Sequence, residues 1–92
     1  MSENSRKIVL EVKNRQGIHA RPAAMIVRIA NKFSGQVWVE KDGERVNGKS
    51  ILGVMGMAAA HGTKLTFHAE CEEPDAFCEE IAKLFANNFQ EG

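Results

Sequence analysis

Ninety-two residues make one module, 1–92, which by size scaling buries roughly 65% of its unfolded-chain surface and holds a modest core without metals or disulfides. Twelve Lys and Arg are balanced by twelve Asp and Glu, so no net field draws the chain to nucleic acid or an anionic membrane, and partners have to be recognised locally. No apolar run approaches the ~20 residues of a membrane span, and residues 1–7 lack the apolar core of a secretory leader, which makes the cytoplasm the expected compartment and excludes direct membrane insertion.

The elements alternate. Ile8, Leu10 and Val12 alternate with Val9, Glu11 and Lys13, the period of a half-buried strand, and Asn14 to Gly17 break it. From Ala20 onward, Ala23, Ile26, Ile29, Ala30 and Phe33 recur at three- and four-residue steps, which predicts a helix ending before Gly35. Val37 and Val39 alternate with Trp38 and Glu40, Lys41-Asp42-Gly43-Glu44 supplies Asp-Gly turn chemistry, and Arg45-Val46-Asn47 returns as a short partner strand. Ser50 stands where a helix cap belongs, ahead of Ile51-Leu52-Gly53-Val54-Met55. Gly53 and Gly56 each cost that short helix roughly 1 kcal/mol against Ala, so packing or binding must retain them. Leu65, Phe67 and Ala69 alternate with Lys64, Thr66, His68 and Glu70 as a fourth strand, and Pro74 opens a last helix whose Phe77, Ile81, Leu84, Phe85 and Phe89 follow helical spacing. The order β-α-β-β-α-β-α, with a split β-α-β pattern inside it, favours an α+β sandwich whose antiparallel sheet is covered by helices on one face.

The chemistry concentrates where the first strand gives way to the first helix. The leading N–H groups of a helix have no partner within it, and with the macrodipole they make its N-terminus a place for an anion. His19 stands just before that start and could be phosphorylated there. Arg21 adds fixed charge with planar donors, Pro22 gives up only an N–H that would be unpaired anyway, and Gly17 allows unusual backbone angles or close approach of a partner. The bland alternative is that His19 merely caps the helix. Cys71 and Cys78 are the only cysteines and are expected free. With His61 and His68 they lack the close pairs of common zinc modules, so no metal is expected; Cys78 reads as helix packing and His68 as a residue on the open side of its strand.

Gly17-Ile18-His19-Ala20-Arg21-Pro22-Ala23 resembles the active-site signature of the HPr family, the histidine-containing phosphocarriers of the bacterial phosphotransferase system. Asn47-Gly48-Lys49-Ser50-Ile51-Leu52-Gly53-Val54-Met55 resembles that family's regulatory-serine region at the family's spacing, and the likeness runs from about Arg6 to Phe89. The resemblance implies an open-faced sandwich with a four-stranded antiparallel sheet and three helices. It implies that His19 takes a phosphoryl group on its δ1 nitrogen from enzyme I and passes it to a histidine or cysteine of an enzyme II-type acceptor. Arg21 would share the catalytic site, with Ala20 and Arg21 at the phosphate. The chain would be a carrier and not a stand-alone catalyst, with no cofactor and a monomer as the default state. An HPr serine kinase/phosphorylase would act on Ser50.

Partner contacts are expected from Gly17, Ala24, Arg28, Lys49, Leu52 and Met55, with Leu52 and Met55 exposed and Ile51 and Val54 mostly in the core. One departure lies at Ala69-Glu70-Cys71-Glu72-Glu73-Pro74, where many relatives carry a glycine and a slightly longer acidic turn, and it leaves the boundary of the last helix open. Two rivals stand beside this reading. One is a small phosphatase-like enzyme in which His19 assists while water attacks, although the motif offers no evident water-positioning acid. The other is a regulatory binding module switched at Ser50.

Overall fold

The computed structural model describes residues 5–90. The sequence reading of 1–7 as lacking a leader's core falls partly outside them. The elements are β1 (Ser5–Glu11), α1 (Ala20–Ala30), β2 (Gly35–Lys41), β3 (Glu44–Asn47), α2 (Ile51–Gly56), β4 (Lys64–Cys71) and α3 (Pro74–Ala86). Every strand pair is antiparallel, and the sheet order is β1-β4-β2-β3. The three helices and the four-stranded sheet form the open-faced sandwich the residue pattern implied.

Alternation decides which side of each strand is wet. Val37 and Val39 of β2 and Leu65, Phe67, Ala69 and Cys71 of β4 are buried under the helices. On the opposite face Trp38 pairs in register with His68, and His68 Nε2 lies 2.7 Å from Glu40 Oε1. Helix α1 sends Pro22, Ala23, Ile26, Val27 and Ala30 to the core, and α3 sends Phe77, Ile81, Leu84 and Phe85. Phe77 links the layers, its ring edge-on to Phe33 at 5.8 Å and tilted to Phe67 at 6.1 Å. Edge-to-face contacts of this kind suit the aromatic quadrupole.

Two helix ends differ from the reading by periodicity. Helix α1 stops at Ala30, and Phe33 reaches the core from the following turn. Helix α3 stops at Ala86, and Phe89 is buried from a short turn, Asn88–Gln90, whose three residues have φ of 54, 56 and 61°. A left-handed run lacking glycine costs roughly 1–2 kcal/mol per residue; burial of Phe89 against Phe85, with ring centroids 4.7 Å apart, offsets part of it. A compact turn can present a residue inward three or four positions on, just as a helix does, so spacing alone could not separate the two.

Among the described residues no helix is long and apolar enough to cross a membrane, and no three His, Cys, Asp or Glu side chains gather where they could hold a metal. Cys71 is buried and Cys78 half-buried, both as free thiols.

Candidate phosphate site at the head of the first helix

The loop between β1 and α1 is stitched to the segment ahead of β4. Val12 N–H donates to Thr63 O at 2.8 Å, Gly62 N–H donates to Val12 O at 2.7 Å, and Ile18 N–H donates to Ala59 O at 2.8 Å. Inside the loop Asn14, buried, donates from Nδ2 to Gly17 O at 2.7 Å. Gly17 adopts φ +72°, and a Cβ there would lie 2.4 Å from Ala59 O. No residue with a side chain fits that approach: the unusual backbone angle expected of Gly17 is present, and the close neighbour is the chain's own Ala59 backbone. Gly17 is itself buried.

This stitching delivers His19 to the N-cap of α1 in an extended conformation, φ −92° and ψ −163°. Its carbonyl accepts from Ala23 N–H at 3.0 Å, while its side chain makes no capping bond. His19 thus caps the helix with its backbone and not with its side chain. Half-buried His19 is followed by exposed Ala20 and Arg21 and by buried Pro22; the backbone N–H groups of Ala20 and Arg21 have no acceptor within the helix, Pro22 has none to offer, and Ala23 N–H is taken by His19 O. No acidic residue stands in that turn to compete for them.

Arg21 is anchored from an unforeseen direction. Its Nη1 donates to Phe89 O at 3.1 Å, so the left-handed turn after α3 holds the guanidinium while other donors of its five remain to meet an anion. Sequence spacing gave no sign of this contact across 68 residues.

The second segment behaves partly as expected. Ser50 Oγ accepts from Gly53 N–H at 3.0 Å and caps α2. Leu52 is 82% exposed and Met55 37%, while Val54 is fully buried. Ile51, expected in the core, is 43% exposed; a helix of six residues has room for one inward apolar side chain, and Val54 takes it. Ala24 and Arg28 lie four apart on α1, and so on one helical face, Ala24 half-buried and Arg28 exposed. Lys49 turns elsewhere: its Nζ donates to Phe33 O at 2.7 Å and Gly35 O at 2.9 Å, closing the turn after α1. Two shallow clefts, of about 250 and 210 Å³, lie between β1 and α3 and along α3, and neither is lined by His19.

Residues 6–87 match the family described as PTS HPr component phosphorylation site, which puts the chain in the class of phosphocarrier proteins of the phosphotransferase system. It is 45% identical over 82 residues to the phosphocarrier protein HPr of Treponema pallidum (strain Nichols), covering 89% of this chain and 93% of that one. It is 44% identical over 73 residues to the HPr-like protein Crh of Bacillus subtilis (strain 168), covering 79% and 86%. The crystal structure of HPr-C-His from Thermoanaerobacter tengcongensis superposes with a TM-score of 0.89 at 39% identity, covering 95% of this chain and 98% of that one. The chain belongs to the HPr family.

Proposed function

We propose that this chain is a cytoplasmic phosphoryl relay. His19 accepts the group from the phosphohistidine of an enzyme I-type donor and gives it to a histidine or cysteine of an enzyme II-type acceptor. In the first step the neutral imidazole attacks through its δ1 lone pair. The new P–N bond forms as the donor's P–N bond breaks, and the bonding pair returns to the donor ring. The observation that carries this reading is the placement of His19 at the N-cap of α1, where first-turn N–H groups and Arg21 favour the added negative charge. An anion at an exposed helix N-terminus gains typically ~0.3–1 kcal/mol, little enough for the group to remain transferable. Exposed Ile51, Leu52 and Met55, with Ala24 and Arg28, supply the docking surface.

Ser50 supports a second layer. It already caps α2 and stands two residues before Leu52, so a phosphate delivered by a serine kinase would sit at the edge of the docking surface and act on partner binding.

Incubation with a phosphorylated enzyme I-type donor should load the chain stoichiometrically with acid-labile phosphate, and His19→Ala should take up none while keeping its fold, since the side chain fills no core space. Normal uptake by folded His19→Ala would overturn the assignment. Steady release of free phosphate without accumulation would favour the hydrolase.

A further inference from the structure

Helix α2 has six residues, glycine at two of them, and no basic side chain in its own last turn. Helices this short do not stand alone in water, so both ends have to be held by something else. Ser50 closes the N-terminal end. At the other end Met57, the C-cap residue, is weakly tied within the helix, its N–H lying 3.3 Å from Val54 O. The cation that the helix lacks comes from the sheet: Lys41, the last residue of β2, donates from Nζ to Met57 O at 2.8 Å. A charge-assisted bond to a carbonyl at a helix C-terminus is favoured by the dipole as well as by the contact.

The same short stretch supports the histidine loop. After Met57 the backbone turns through Ala58 at φ 51°, and Ala59 O then takes the N–H of Ile18, the residue before His19, at 2.8 Å. Ala59 O is also the atom that Gly17 approaches too closely for any side chain. The carbonyl gripped by Lys41 and the carbonyl gripped by Ile18 are thus two residues apart on one loop, with a left-handed alanine between them. Movement at Met57 reaches the docking helix on one side and the histidine loop on the other.

We propose that Lys41 is a positioning residue for phosphoryl transfer, its ammonium fixing the Met57–Ala59 segment and through it both α2 and the loop that carries His19. This rests on His19 being the phosphoryl acceptor. Lys41→Met keeps the aliphatic stem and removes the donor, Lys41→Gln is a second, shorter loss variant, and Lys41→Arg restores a cationic donor.

Amide hydrogen exchange and donor-dependent phosphorylation, measured on all four proteins, test it. In the Met and Gln variants the amides of Ile18 and Ala58 should exchange at least tenfold faster while those of β2 and β4 stay protected. The donor's kcat/KM for the variant as substrate should fall at least fivefold, and Arg should restore both readouts. Unchanged exchange at Ile18 in a folded loss variant overturns the proposal, whatever happens to transfer. Faster exchange with unchanged kcat/KM overturns it too, by showing that the loosened loop does not matter to the reaction. Failure of the unmodified chain to take phosphate would instead defeat the relay reading, and would be seen before any variant is compared.

Discussion

At Gly17 two separate costs of a side chain can be measured apart. Its φ of +72° penalises any L-residue, and its neighbour Ala59 O leaves no room for a Cβ. Gly43, in the β2–β3 turn, shares the first cost at φ +83° and has nothing within 4 Å of a built Cβ. Gly43→Ala should therefore lose roughly 1–2 kcal/mol, the usual penalty of a left-handed alanine, and Gly17→Ala distinctly more, with slower loading of His19 because the loop must shift to relieve the contact. Urea unfolding of the two variants reads the difference; equal losses would mean that the approach to Ala59 relaxes without cost. The candidate site residues differ in how far a sequence can reveal them. Gly17, His19 and Arg21 sit within one five-residue stretch and speak through local chemistry. Phe89 meets Arg21, and Lys49 meets Phe33, across chain separations of 68 and 16 residues, and nothing in their own neighbourhoods reports those meetings. Lys49 reads as a rim lysine because a long basic side chain beside an apolar helix usually is one. Here two carbonyls of the turn after α1 claim its ammonium.

Among the elements, strands were the more legible because alternation over four or more residues has one interpretation when a single face is buried. The short helix was the less legible. Its cap at Ser50 follows from residue type alone, but which of its apolar side chains turn inward depends on the tilt with which α2 meets the sheet and α1, and Ile51 stays exposed as a result. That geometry sharpens a test of Ser50. Aspartate caps as well as serine does, so Ser50→Asp should leave stability within about 0.5 kcal/mol, the range of ordinary surface changes. Binding should suffer, because a carboxylate next to exposed Ile51 and Leu52 has to be desolvated against a partner surface matched to a neutral hydroxyl, commonly at a cost of ~2–5 kcal/mol. Loading of His19 by the donor should slow at least tenfold, which needs only ~1.4 kcal/mol of barrier. Donor-dependent rates for Ser50→Asp and Ser50→Ala settle it: equal rates in two folded variants would reduce Ser50 to a helix cap.

Across the whole molecule the layering places both thiols between sheet and helix. Cys71 ends β4 in the core, and Cys78 packs against that core from α3. Burial is the main cause that raises the Cys71 thiol above 9.0, opposed in part by Lys49. Burial also leads for Cys78, reinforced by Asp75 and Cys71 and opposed by Arg6. In the unfolded chain each thiol ionises near its ordinary value, whereas the folded chain keeps the proton to higher pH. Between those two values the unfolded state binds fewer protons, so unfolding becomes easier as pH rises; below the ordinary value the contribution is fully present. Each thiol can steepen the loss by at most about 1.4 kcal/mol per pH unit. Stability from urea unfolding should therefore fall more steeply from about pH 8 to pH 10 in this chain than in Cys71→Ala/Cys78→Ala. The variant is expected to be weaker at neutral pH, where it loses buried sulfur, yet flatter above the thiol range, and lysine titration, common to both proteins, cancels in the comparison. Parallel slopes would show that the thiols ionise alike in the folded and unfolded chain, and that the sheet–helix interface around them is open to water.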